Sequence, residues 1–227
     1  MKYVRTFVCF ANSRKHSGRC VAGKEWLRGR PGAWVRVVSD WVTHELSAAD
    51  RHYENGDDPQ LLDVIRVPCL RPEPQCHQRE NHVIDSNFYW IKEARLAWPD
   101  LGDWLDDPGT LWTLGEASYA CLNNRVAVGR ENGVSLYLIR VPSLRLRVGP
   151  KAPGYADSKR IVRGEFNYHG AVYRLGVTDP AIEIKYLSGQ DGQYEIPQAV
   201  LCVSLGDPFQ GHYYKLIASV LYEERCA

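Results

Sequence analysis

Arg14, Lys15, His16, Arg19 and Lys24 crowd into eleven residues of the stretch ANSRKHSGRCVAGKE, residues 11–25. Gly18 and Gly23 stand among them, where a chain bends or lets a ligand approach its backbone. Guanidinium and ammonium groups beside open backbone N–H groups are what phosphate recognition requires. Ser13, Arg14, Lys15, Arg19 and Lys24 are therefore candidate nucleic-acid or phosphate contacts. Trp26, Trp34 and Trp41 follow closely and could stack bases, although tryptophans also serve as core. Lys24 lacks the following Ser or Thr and the strand-to-helix setting of a nucleotide hydrolase loop. The bland alternative is a solvated hairpin tip.

Three further groupings carry chemistry. CLRPEPQCHQRENH, residues 69–82, gathers Cys69, Cys76, His77 and His82. No cysteine pair there has the short gap of a zinc knuckle, so no metal or other cofactor is implied. In the same stretch Gln78, Glu80 and Asn81 could read a base edge or ribose, or bond their own loop. VTDP, residues 177–180, puts Asp179 at a strand end, either at a barrel mouth or in simple turn chemistry. GDPFQGHYYK, residues 206–215, leads Tyr214 and Lys215 into the last strand, as a stacking and backbone-binding platform or with Lys215 guarding a sheet edge. No nucleophile elbow, HExxH, kinase or dinucleotide fingerprint occurs. An enzyme acting on a nucleotide, nucleobase or nucleic-acid adduct would have to use Glu80 and Asp179 as acid or base. Ser13 near Lys15, or Cys20 near His16, would be its nucleophile only if the partners met in space.

The elements that position these groups read as mainly β. Across 227 residues, 7 Trp and 13 Tyr with 19 Gly and 13 Pro favour short strands and turns. The first strands fall at 2–10, from 19–22 onward, 33–39 and 61–70, and the cationic stretch 11–25 reads as a loop, the long tip of a hairpin, within which Arg19 to Ala22 starts the second strand. Residues 71–85 read as an irregular loop. NFYWIKEARLAW, residues 87–98, predicts a helix, with Asn87 as cap and Ile91, Ala94 and Trp98 on one face. Ser47 with Asp50 three residues on predicts a short helix start. From 110 onward strands are expected at 110–114, 134–140, 144–149, 159–167, 171–177, 182–186, 198–204 and 213–221. The expected organisation is two small β-barrels in tandem, 1–109 with a helical excursion over about 71–109, and 110–227. A faint repeat supports it: His16 and Gly18 in the first half are matched with His169 and Gly170 in the second.

Net charge is only +1, but it is segregated. Residues 1–39 hold nine Lys or Arg against Glu25 alone, residues 45–116 hold fifteen acids against six bases, and residues 140–163 hold seven bases against one acid. Such blocks either build a basic face or pair with one another in the fold. An acidic middle segment would also suit a protein-binding adaptor. No segment reads as a signal peptide or as a membrane span, and seven widely spaced cysteines read as reduced thiols, so a cytoplasmic protein with no membrane partner is expected.

Three segments in this order, ANSRKHSGRCVAGKE followed by WVRVVS, then QRENHVID, then LGDPFQGHYYKLIAS, resemble a mainly bacterial family of dual OB-domain proteins linked by prediction with nucleic-acid modification. The resemblance spans nearly the whole chain. It implies two oligonucleotide-binding barrels and a role linked with nucleic-acid modification. Joined to the cationic loop and its aromatic neighbours, this gives the leading expectation: a module that binds single-stranded or modified nucleic acid and serves a separately encoded modification or defence enzyme. One position departs: a proline is expected after WVR, where this chain has Val37.

Overall fold

Strands that carry apolar residues on both faces need cover on both, and a small closed barrel with an outer layer supplies it. The computed structural model describes residues 2–75, 77–118, 120–151 and 158–226. These form two units, residues 1–105 with 223–227, and residues 106–222.

The first unit is built from β1 (Tyr3–Lys15), β2 (Gly18–Leu27), β3 (Arg30–Val38), β4 (Asp63–Pro72), β5 (Asn81–Ile84) and β6 (Ile91–Arg95). The sheet order β1-β2-β3-β5-β4 closes through an antiparallel β1–β4 pairing, β3–β5 is parallel, and β6 adds to the outside of β4. Phe7, Cys9, Val21, Val35, Val37, Ile65 and Val67 fill the barrel. A register shift between Cys9 and Ala11 lets β1 bend far enough to pair with both β2 and β4. Gly23 faces that bend, and a Cβ there would stand 1.7 Å from the Val8 carbonyl oxygen, so no larger residue fits.

The second unit repeats the plan with β7 (Arg125–Ala127), β8 (Leu136–Pro150), β9 (Arg160–Tyr168), β10 (Ala171–Val177), helix α1 (Pro180–Leu187), β11 (Gly192–Leu205) and β12 (His212–Leu221). Its ring runs β8-β9-β10-β12-β11 and closes through β8–β11, again with a parallel pair, β10–β12. Leu144, Leu146, Phe166, Tyr173, Leu175, Leu201, Val203 and Ile217 form the core. Gly164 repeats the role of Gly23: a Cβ there would meet Ile217 Cδ1 at 2.4 Å. The last four-residue helix, α2 (Glu223–Cys226), groups with the first unit.

Several sequence expectations need correction. Residues 11–25 are not a loop: β1 and β2 run to Lys15 and from Gly18, leaving only His16, at φ 48°, and Ser17 to turn. The predicted helix at 87–98 is a turn followed by β6, because Trp90 is buried and Ile91–Arg95 pair with β4; the threefold spacing of Ile91, Ala94 and Trp98 is incidental. The expected helical excursion shrinks to the 3-10 helix Trp98–Trp104. Within the supposed irregular stretch 71–85, Asn81–Ile84 is β5. Residues 182–186, expected as a strand, lie in α1, because Asp179 caps its start and Pro180 occupies the first turn. Residues 110–114 form no strand, and the runs at 134–140 and 144–149 are one continuous β8. Ser47 and Asp50 do exchange capping bonds, yet the chain makes a single turn there. Val37 pairs with Val21 and His82 inside β3, so the residue in place of the expected proline keeps the strand intact to Val38.

Candidate nucleic-acid interface

At the tip of the first hairpin Arg14 pairs directly with Arg19, and Lys15 with Gly18. Like charges opposed across two strands repel by a few tenths of a kcal/mol to about 1 kcal/mol. Arg14 is exposed, and Lys15 and Arg19 are partly exposed. The tip is tied to the β3–β4 connection: Arg19 and Leu46 exchange backbone bonds of 2.9 Å, and the Ser17 hydroxyl donates to Glu45 at 3.0 Å. That connection carries Trp41, 70% exposed, and is joined in turn to the β4 end and the β4–β5 turn through Arg71 with Asp40 and through Gln75 with His44.

Arg36 on β3 links the hairpin to the QREN segment. Its Nε donates to Glu80 Oε1 at 2.9 Å, its Nη1 to Cys20 Sγ at 2.9 Å, and its backbone N–H to the Glu80 carbonyl at 2.9 Å. Burial works against the Arg36 charge, but Cys20 and Glu80 more than offset this and hold it above the ordinary arginine range. Ser13 lies on β1 opposite Cys20, nearly buried, with its hydroxyl donating to the Cys20 carbonyl at 3.5 Å. Asn81 starts β5 beside Arg36, fully buried, with Nδ2 donating to Gln78 Oε1 at 3.3 Å. Ser13, Arg14, Lys15, Arg19, Glu80 and Asn81 are thus one connected neighbourhood. Lys24 is not exposed there: it is 6% accessible, donates to the Trp104 carbonyl at 2.7 Å and stands 5.3 Å from the Trp34 ring.

In the second unit the outward face of β8, β9 and β10 gathers three arginines around one carboxylate. Glu165 receives Arg174 Nε at 2.7 Å, Arg147 Nη2 at 3.2 Å and Arg145 Nη1 at 3.3 Å. Burial alone would raise the Glu165 pKa, but Arg174 and Arg147 hold it below the usual glutamate range. A shallow pocket of about 290 Å³ opens beside Arg145, Glu165 and Asn167, with a second carboxylate, Glu195, on its wall opposite Arg145. Lys215 is turned inward, donating to the Thr113 carbonyl and 5.3 Å from the Tyr173 ring, and burial brings its pKa down to about 8. Tyr214 is half-buried, 6.4 Å from the exposed Phe209 ring. Asp179 is buried and structural: Oδ1 accepts from the backbone N–H groups of Ala181 and Ile182, and Oδ2 from Val220. Among the described residues no group of three or more His, Cys, Asp or Glu is placed to hold a metal.

The family profile described as "Dual OB-containing domain" matches residues 5–220. The chain belongs to this family. Comparison with curated proteins and with solved structures finds no match. As a dual OB protein it can be compared with itself, since strand pairing sets its two barrels in register. Cys9, Gly23 and Val35 on the first three strands of one barrel correspond to Leu146, Gly164 and Leu175 in the other. One position over, Val8, Lys24 and Trp34 correspond to Arg145, Glu165 and Arg174. In the first barrel this face is closed: Trp104 stacks on Trp26 at 5.6 Å and 13° and packs on Phe10 at 5.7 Å. Trp26 and Trp34 are thereby engaged within the protein, leaving Trp41 as the exposed ring of the three. In the second barrel the same face is cationic.

Arg174 and Glu165 were not singled out from sequence, and Arg145 and Arg147 counted only as members of a basic block. Their signal was the alternation Arg145-Leu146-Arg147, which sets both guanidinium groups on one side of a strand. The repeat itself was matched one strand out of register: His16 turns the first strand into the second, whereas His169 turns the second into the third. No helix among the described residues is long and apolar enough to cross a membrane.

Proposed function

We propose that this dual OB protein is a nucleic-acid-binding module that takes single-stranded or modified nucleic acid and serves a separately encoded modification or defence enzyme. The observation that carries the reading is the cluster of Arg145, Arg147 and Arg174 around a single Glu165. It leaves a cationic excess on the strand face that OB barrels commonly use for oligonucleotides. Support comes from the first barrel, where Arg14, Lys15 and Arg19 stand at the strand 1–2 turn, next to exposed Trp41 and the strand 4–5 connection. Backbone phosphates would pair with the guanidinium groups, and Trp41 would offer a ring for one base. Lys24 and Lys215 are left out of the interface because both ammonium groups are spent on interior carbonyls. Glu80 and Asp179 are likewise committed, to Arg36 and to the α1 cap, which gives the acid–base reading no support.

The test is fluorescence anisotropy with labelled single-stranded DNA and RNA over a salt series. Affinity is expected to fall as salt rises, and removing three phosphate contacts by Arg145→Ala, Arg147→Ala and Arg174→Ala should flatten the log–log slope by about 2. The Arg14→Ala, Lys15→Ala, Arg19→Ala variant should also weaken binding. Absence of salt-dependent binding to either polymer, or indifference to both triple variants, overturns the reading.

A further inference from the structure

Strand β6 lies at an end of the first sheet, with β4 as its one sheet neighbour among the described residues, and all five of its residues are exposed. Edge strands of this kind usually carry charges that discourage another strand from pairing. Here those charges are drawn aside: Lys92 Nζ lies 2.7 Å and Arg95 Nη1 3.3 Å from the same buried carboxylate oxygen, Asp63 Oδ1. Arg95 also donates to the Leu61 and Cys226 carbonyls at 3.1 Å.

At the start of β6 the chain already shows how a further strand would lie. Tyr53 makes a parallel bridge to Trp90, and the Trp90 N–H reaches the His52 carbonyl at 3.4 Å. Directly after Tyr53 the chain turns away, the Tyr53 N–H donating to the Asp57 carbonyl at 2.9 Å. Between the departing segment and Ile91 and Lys92 a groove of about 740 Å³ is left open. Its floor holds buried Trp90 and Asp63, and its far wall holds Glu54, Asp57 and Asp58. Lys92 and Arg95 together outweigh the single charge of Asp63 at the floor, and Arg51 pairs with Asp58 at 3.0 Å. Glu54 and Asp57 form no ion pair among the described residues, so the wall is anionic. Phosphate would be repelled from it. Exposed Ile91 lines the groove with apolar surface.

We propose that this groove receives an extended, basic polypeptide segment of a partner protein, which continues the Tyr53 bridge as an added strand along β6. Five residues at about 3.4 Å each give an edge of about 17 Å, enough for a partner strand of similar length. Backbone pairing supplies affinity, and alternate Lys or Arg side chains of the partner meet Glu54 and Asp57. This surface is independent of the cationic faces assigned to nucleic acid, so failure of one reading leaves the other standing.

The probe is a labelled eight-residue peptide alternating arginine with threonine, followed by anisotropy on the full chain. Three controls accompany it: the same peptide N-methylated at alternate amides, a glutamate counterpart, and unlabelled oligothymidylate as competitor. Saturable binding of the arginine peptide is expected, weakened at least tenfold by N-methylation and by the exposed pair Glu54→Gln and Asp57→Asn, with new amide-exchange protection at Ile91–Glu93. Equal binding of the N-methylated peptide, indifference to the double variant, protection elsewhere, displacement by oligothymidylate, or no binding each overturns the proposal.

Discussion

Replacing Glu165 by glutamine separates two effects that a purely structural cluster would keep together. The Glu165 side chain is 13% exposed and accepts from Arg145, Arg147 and Arg174. Loss of its charge weakens three charge-assisted bonds; discounted for the partial exposure of the arginines, this costs the second barrel about 1–2 kcal/mol. Binding should move the other way. A phosphate on the far side of a guanidinium stands roughly 7 Å from the carboxylate, where the repulsion it loses is about 0.6 kcal/mol at the dielectric of water and about 2.4 kcal/mol at an effective value of 20. The expected gain in affinity for a single-stranded oligonucleotide is therefore about 3- to 60-fold at low salt, shrinking as salt rises. Thermal denaturation reads the first effect and anisotropy the second. A variant that is both less stable and weaker in binding, with its fold intact by circular dichroism, would refute the placement of phosphate on this face.

Two titrations give further tests. Burial of His82, with Arg5 nearby, lowers its pKa from 6.5 to about 4. The folded chain thus binds fewer protons than the unfolded one between those values, and stability of the first barrel should fall by up to about 3 kcal/mol as pH drops from 6.5 toward 4. Denaturant unfolding at several pH values should show that slope in the wild type and lose it in His82→Gln. Lys215 runs in the basic range, its pKa brought from 10.5 down to about 8 by burial. Here too the unfolded chain holds more protons, so stability of the second barrel should rise with pH between about 8 and 10.5. Lys215→Met should abolish that rise; its persistence in the variant would show that another group carries it.

The barrel class, the tandem organisation and the density of cations at Arg14, Lys15 and Arg19 were legible in the sequence, because short strands, turn residues and charge spacing are local properties. The stretch 11–25 nevertheless looked like a loop. Its polar residues alternate with small ones, and only the pairing of β1 with β2 across a two-residue turn shows that Ser13 and Cys20, Arg14 and Arg19 are strand partners. Helix and strand were exchanged at 87–98 and 182–186, where burial of Trp90 and the Asp179 cap outweigh local pattern. The fate of individual charges was beyond the sequence altogether. Lys24 and Arg174 are both cations on barrel strands, yet one ends beneath Trp104 and the other on an outward face. Sequence sets a residue's charge and its side of a strand. What covers that side depends on segments 80 residues away in the chain, as Trp104 is from Lys24, and contacts over such separations exist only once the chain has folded.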